Sequence, residues 1–129
     1  MSIRAMLTLV AALSAPLASA GDIAGFWKHA EEPGWIEIRM EDGVGTGKVV
    51  RNDVYPERVG REILKGLTVD ESEEVLWRGQ VYAERLGEYK DAEILLAETD
   101  TLQIKVKVGF ISRTVRWVRV DEVPVDSEQ

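Results

Sequence analysis

The sequence predicts an all-β protein, a small antiparallel up-and-down barrel of about eight strands. After residue 20 the chain has 22 Val plus Ile against 12 Leu plus Ala, and branched side chains favour strands over helices. Several stretches alternate apolar and polar residues, and short turn-forming segments separate them. We find no long helical period and no internal repeat. A sandwich is the other solution for such strands, but successive hairpins favour a barrel, and closure removes exposed strand edges.

The first three strands have the clearest boundaries. The turn-forming sequence Glu31-Glu32-Pro33-Gly34 ends the first strand. Trp35–Glu41 has Ile36, Ile38 and Met40 on one face and three charged residues on the other, which is typical of a half-buried strand. Asp42-Gly43 predicts a tight hairpin, and two glycines in Val44–Arg51 predict a bend or a close approach by a neighbour.

The region from Asn52 to Leu67 predicts the one short helix. Pro56 is suited to a first helical turn, and Gly66 is suited to a helix end. Between them Val59, Ile63, Leu64 and Leu67 have helix-like spacing.

The second half of the chain predicts strands again. Thr101–Ile111 is the most regular, with Leu102, Ile104, Val106, Val108 and Phe110 on one face. Glu98-Thr99-Asp100 predicts a tight turn before it. The full set of predicted strands is Gly25–His29, Trp35–Glu41, Val44–Arg51, Val75–Tyr82, Asp91–Ala97, Thr101–Ile111 and Arg113–Val120.

The first 20 residues differ from the rest. Met1–Ala20 has one charge, Arg4, then an apolar run and the small residues Ala18-Ser19-Ala20. This pattern predicts a secretory signal peptide cleaved after Ala20, and the run is too short for a membrane anchor. We therefore expect a periplasmic or secreted protein, with a barrel domain over residues 21–122 and a disordered polar tail over 123–129. The expected mature chain has 15 Lys plus Arg and 23 Asp plus Glu, a formal charge of −8.

Composition and motifs argue against several functions. The chain has no cysteine, so a disulfide framework and a thiolate metal site are excluded. Its negative charge disfavours nucleic acid and anionic membrane surfaces, and we expect no stable membrane insertion after cleavage. His29 is the only imidazole and Asp70–Glu74 lacks calcium-loop spacing, so we expect no metal and no cofactor. No nucleophile motif is present, and we predict a non-enzymatic protein, with an uncharacterised hydrolase as the less favoured alternative.

The two ends of the chain predict a contact. Gly25 and Trp27 share a face of the first strand, and Val115, Trp117 and Arg119 share a face of the last. If these strands adjoin, the Arg119 guanidinium can lie over Trp27 and close one end of the barrel. The alternative is that Arg119 extends past the rim into solvent.

Three segments resemble a family of exported bacterial proteins that is described only as a domain of unknown function. They are Asp22-Ile23-Ala24-Gly25-Phe26-Trp27, Gly45-Thr46-Gly47-Lys48-Val49-Val50 and Arg113-Thr114-Val115-Arg116-Trp117-Val118-Arg119-Val120. The first also resembles the G-x-W opening of lipocalin-like proteins, and Trp77–Tyr82 resembles the family's W-x-G-x-I-Y strand. The resemblance implies a lipocalin-like barrel in which a late arginine stacks over the first tryptophan, with binding of a small apolar molecule. Ala83-Glu84 and Gly87-Glu88-Tyr89 depart from the family pattern at the loops.

The inward-facing positions define the predicted ligand site. A barrel of this size either is filled by side chains or holds one small ligand, and the apolar pattern is the same in both cases. An interior of about 300 Å³ or more would favour a ligand. The alternative function is that the acidic protein docks a basic protein partner, as an inhibitor-like or envelope interaction module. The predicted ligand-binding residues are Trp27, Ile36, Ile38, Trp77, Val81, Tyr82, Ile94, Leu102, Ile104, Phe110, Trp117 and Arg119.

Overall fold

Eight antiparallel strands follow one another around a closed barrel in a computed structural model that describes residues 22–70, 76–98 and 100–125. Each strand pairs with the next in the chain, and the last pairs with the first from Phe26↔Val120 to His29↔Trp117. The predicted barrel is therefore confirmed. The predicted signal peptide and residues 126–129 of the predicted tail lie outside the described residues. The strands are β1 Gly25–His29, β2 Gly34–Glu41, β3 Val44–Asn52, β4 Glu62–Asp70, β5 Leu76–Ala83, β6 Glu88–Ala97, β7 Thr101–Val108 and β8 Ile111–Val120.

The hairpin turns follow local residue chemistry. Asp42 and Gly43 both have positive φ, at 53° and 82°, as a two-residue type I′ turn requires. The predicted long strand Thr101–Ile111 is instead divided by a turn at Gly109, whose φ is 65°. β7 therefore ends at Val108, and β8 begins at Ile111 after a two-residue turn.

The predicted helix between Pro56 and Leu67 is wrong. Pro56–Arg58 forms one short 3-10 turn, and Glu62–Asp70 is strand β4. β4 pairs with β5 at Lys65↔Gln80 and next at Thr68↔Arg78, so two residues of β4 lie opposite one residue of β5. This is a β-bulge, and Gly66 adopts the left-handed φ of 65° within it. The bulge shifts the strand's alternation so that Leu64 and Leu67 both face the core, and their three-residue spacing therefore imitates a helix.

Two glycines of β3 allow β4 to pack closely. A Cβ on Gly45 would lie 3.1 Å from Leu67 Cβ, and one on Gly47 would lie 3.0 Å from Leu64 Cδ1. Both leucines are fully buried. The close approach predicted for these glycines is confirmed.

The core fills the barrel most completely on the side where β1 begins. Its fully buried large side chains come from five strands and from the segment before β1. None of the charged or polar residues that the structure describes is fully buried, and no helix in those parts of the chain is long and apolar enough to span a bilayer. The fully buried large side chains are Ile23, Trp27, Ile36, Ile38, Leu64, Leu67, Ile94, Leu102 and Ile104.

Candidate functional site

One end of the barrel is closed by Trp27 and Arg119. The Arg119 guanidinium carbon lies 4.4 Å from the centre of the Trp27 ring, a cation–π distance. Its nitrogens donate hydrogen bonds to the carbonyls of Ala24 at 3.1 Å and Asp22 at 2.9 Å. Trp27 Nε1 donates to the carbonyl of Ile23 at 3.0 Å. The segment before β1 is thereby bound across this end of the barrel.

The opposite end contains a cavity of 230 Å³. The connections β1–β2, β3–β4, β5–β6 and β7–β8 all lie at this end, because odd-numbered strands finish there. Val49, Ile104 and Trp117 are the buried apolar members of the lining. The other apolar wall residues are half-buried, and they are Ile63, Val81, Val106 and Val115.

The volume limits the size of an occupant. An apolar cavity of roughly 150 Å³ is enough to bind benzene, whereas pockets for drug-sized ligands start at about 300 Å³. The cavity lies between these values. It can therefore take a single ring or a short acyl chain, and its volume lies below the value of about 300 Å³ or more that would favour a ligand.

His29 lies at one side of the cavity mouth. The His29 ring meets Trp117 edge to face, with centroids 5.0 Å apart. Its Nδ1 accepts hydrogen bonds from the backbone N–H groups of Glu31 and Glu32, each at 3.0 Å. His29 therefore holds the β1–β2 turn beside the cavity through its Nδ1 atom.

Charged groups form the other side of the mouth. Arg61 Nη1 lies 2.6 Å from Glu84 Oε2, and Arg58 Nε lies 3.7 Å from the same carboxylate. The hydrogen bond to Glu84 raises the pKa of the Arg61 guanidinium above its ordinary value, so this guanidinium stays charged across the physiological range. Arg61 also lies over the Tyr82 ring at 5.2 Å. The mouth is therefore polar and the interior is apolar, which suits an amphipathic molecule.

The predicted site residues are divided between the cavity and the filled core. Four of them, Val81, Tyr82, Ile104 and Trp117, line the cavity. Arg119 lies at the closed end, and Trp77 is half-buried against the core. The remaining inward residues are fully buried in the core of the barrel. They are Trp27, Ile36, Ile38, Ile94 and Leu102.

The placement of Phe110 inside the barrel is wrong. Its relative exposure is 105%, because the chain turns at Gly109 and Phe110. Alternation along an uninterrupted strand would have placed it on the same face as Ile104. The turn ends that alternation, so Phe110 lies outside the barrel.

Ten cavity residues were not predicted. Val106 and Val115 share the faces of predicted residues Ile104 and Trp117, so the alternation already contained the signal for them. Ile63 was assigned to a helix that does not form. The polar residues come from loops and strand ends, where spacing carries little information. The ten are His29, Glu32, Gly34, Val49, Asn52, Arg58, Ile63, Glu84, Val106 and Val115.

Metal chemistry receives no support from the side-chain positions. Within residues 22–70, 76–98 and 100–125, no three His, Cys, Asp or Glu side chains are grouped so that they could hold a metal ion. Most of the acidic run Asp70–Glu74 lies outside these ranges. Asp70 itself lies 2.6 Å from Arg78 Nε.

The closed eight-stranded barrel, with one end covered by an arginine over a tryptophan and a cavity at the other, is a lipocalin-like fold. It is similar to the structure of protein HP1028 from Helicobacter pylori, which is described as belonging to the lipocalin family. The TM-score is 0.60, the sequence identity is 14%, and the match covers 78% of this chain and 84% of that chain. This likeness concerns the fold. No family model and no curated protein sequence matches the chain.

Proposed function

We propose that the protein is a non-enzymatic carrier that binds one small apolar or amphipathic molecule in the cavity beside Trp117. The observation that carries this proposal is the 230 Å³ space with apolar walls beneath a charged mouth. An apolar group inside would replace water against valine and isoleucine side chains. A polar head at the mouth would lie near Arg58 and Glu84.

The cavity can be tested with 1-octanol and octanoate, followed by the methyl NMR signals of the valines. Both probes should shift the methyl signals of Val81 and Val115, which line the cavity. They should leave Val118 unchanged, because it lies 42% exposed on the outer face of the same strand. Glucose is the polar control and should shift none of these signals.

Strand β8 offers a matched pair of variants. Val115→Trp places a large ring in the cavity and should abolish octanol binding, whereas Val118→Trp adds the same ring outside and should preserve it. Circular dichroism checks that both variants fold. Equal octanol binding by the two folded variants, or no methyl shifts in the native protein, would exclude the cavity as the site.

We also propose that the chain belongs to the exported family that its motifs resemble and acts in the periplasm or outside the cell. The support is the pattern of Met1–Ala20, in which a charged start, an apolar run and a small-residue cleavage motif follow one another. Intact mass measurement of protein made by its own cell tests this, since cleavage after Ala20 leaves Gly21 as the first residue. A mass that includes Met1–Ala20 in the mature protein would contradict it.

A further inference from the structure

The end of the β7–β8 hairpin pairs only within itself. The ladder between β6 and β7 stops at Ala92↔Val106, and the ladder between β1 and β8 stops at His29↔Trp117. The two hairpin strands continue to pair with each other up to Val108↔Ile111. Residues 107–112, called the β7–β8 tip below, therefore lie at the cavity end of the barrel outside the ladders to the neighbouring strands.

The β7–β8 tip exposes two adjacent apolar side chains. Phe110 has a relative exposure of 105% and Ile111 of 64%. Gly109 takes the first central position of the two-residue turn with a φ of 65°, as in a type II′ turn. The turn therefore holds the Phe110 ring outward at the end of the hairpin, and neither Phe110 nor Ile111 contributes to the core.

Positive charge accompanies these apolar residues. Thr101–Val120 contains five Lys plus Arg and no Asp or Glu, so this hairpin carries +5 in a chain of −7 and the other residues carry −12. Lys107 is exposed within the tip and Arg113 is exposed next to it, and Arg116 is exposed three residues further along β8. Lys105, by contrast, lies opposite Glu93 of β6. Salt screens the interaction between exposed charges that lie more than about 8 Å apart. The positive side chains close to the tip therefore determine which charged surface the tip attracts.

We propose that the β7–β8 tip docks the protein on the surface of an anionic lipid bilayer. Phe110 and Ile111 would enter the boundary between headgroups and acyl chains, and Lys107 and Arg113 would pair with lipid phosphates. A narrow convex tip favours this occupant over a folded protein, because a specific protein interface buries upward of about 1,000 Å². The net negative charge of the chain is compatible with docking because the hairpin Thr101–Val120 itself contains no Asp or Glu. This proposal does not depend on a ligand in the cavity.

Because the whole chain has no cysteine, a single introduced cysteine can carry a dye at one chosen position. A polarity-sensitive fluorophore on Phe110→Cys would report contact with lipid, and the same dye on Leu86→Cys is the matched control. Leu86 lies 48% exposed in the β5–β6 turn at the same end of the barrel. The protein is produced with its own N-terminal segment, and the dye position makes the readout specific to the tip.

Vesicles of phosphatidylglycerol and phosphatidylcholine in equal parts should shift the emission of the Phe110→Cys dye to the blue. Vesicles of phosphatidylcholine alone should not, and the Leu86→Cys dye should remain unshifted on both. Adding Lys107→Gln and Arg113→Gln should weaken partitioning about 25-fold, at about fivefold for each cation near the surface. Adding Arg39→Gln and Lys48→Gln instead removes two exposed cations from β2 and β3 and should leave partitioning unchanged.

Three results would overturn the proposal. The first is an unshifted Phe110→Cys dye on the anionic vesicles. The second is an equal shift on the two kinds of vesicle. The third is a shift without lipid. A shift that rises with the concentration of the chain itself would assign the tip to a second copy, and one that rises with another added protein would assign it to a protein partner.

Discussion

The Arg119 guanidinium lies 4.4 Å from the centre of the Trp27 ring, and this contact joins the last strand of the barrel to the first. The two residues are also partners in the β1–β8 ladder. Arg119 extends beyond the ring to the carbonyls of Ala24 and Asp22. One side chain therefore covers the closed end, supports strand closure and holds the segment before β1.

Arg119→Ala should be strongly destabilising. It removes two charge-assisted hydrogen bonds and a cation–π contact, so we expect the free energy of unfolding to fall by about 2–3 kcal/mol. Arg119→Lys keeps the charge but not the planar fork and should lose roughly half as much. Urea unfolding followed by circular dichroism measures both changes. Arg39→Ala, which removes an arginine side chain that is 79% exposed, is the control and should change stability by less than about 0.5 kcal/mol. An Arg119→Ala loss of the same size as the control would show that the closed end is held by packing alone.

Gly79→Ala should also destabilise the barrel, although φ at this glycine is not in the left-handed region. A Cβ at Gly79 would lie 2.5 Å from Leu67 Cδ2 and 2.8 Å from the carbonyl oxygen of Lys65. The backbone oxygen cannot move away without opening the bulge of β4, so we expect a loss of about 1–3 kcal/mol.

Gly34→Ala is the matched control for this site, because its Cβ would lie 3.4 Å from the flexible Asn52 amide. Urea midpoints should separate the two variants clearly. Equal midpoints would mean that the β4 bulge adapts to the extra methyl group.

The bulge also explains why part of the fold could not be predicted. Alternation identified the strands around Ile36 and Ile104, and Asp42-Gly43 identified the hairpin between β2 and β3. Both signals are local in the sequence. The bulge at Gly66 reverses which side chains of β4 face inward. A bulge depends on the neighbouring strand, and the local sequence does not show which strand that is. The same limit applies at Phe110, where a turn interrupts a pattern that continues in the sequence.

The candidate site was predicted only in part for a related reason. Alternation identifies which side chains face inward, and it correctly brought Val81, Ile104 and Trp117 to the cavity. Whether inward residues leave a space depends on the sizes of side chains that meet across the barrel. Trp27 and its neighbours fill the closed end, whereas valines dominate the open end, and this difference emerges only once the register is known. The Trp27–Arg119 contact, which the sequence left as one of two possibilities, is present.

His29→Ala should loosen the β1–β2 turn. The change removes the acceptor for the N–H groups of Glu31 and Glu32. We expect the free energy of opening at these amides to fall by about 1–1.5 kcal/mol, so that they exchange with solvent about tenfold faster. Hydrogen exchange measured by NMR on these two amides is the direct readout. The emission of Trp117 should change as well, since its ring loses its edge contact with His29.

The conservative variant for this position is His29→Asn. In the native protein Asn52 Oδ1 accepts hydrogen bonds from the N–H groups of Val54 and Tyr55 at 3.0 Å and 2.7 Å, which is the same pattern two and three residues ahead. An asparagine at position 29 should therefore restore most of the protection. Unchanged exchange in His29→Ala would show that the turn is held by its other contacts.

Ligand occupation should stabilise the barrel by mass action. A molecule that binds the folded chain alone raises the free energy of unfolding by about 2.7 kcal/mol at 100 times its Kd. Thermal unfolding with increasing 1-octanol should therefore show a rising Tm in the native protein and in Val118→Trp. Val115→Trp should show no rise, because its ring occupies the cavity that Val115 lines in the native protein. The cavity lies at the end opposite Arg119, so Arg119→Lys should lower the starting Tm and keep the full octanol-dependent rise. A rise that Val115→Trp retains, or that Arg119→Lys abolishes, would place the stabilising site elsewhere in the molecule.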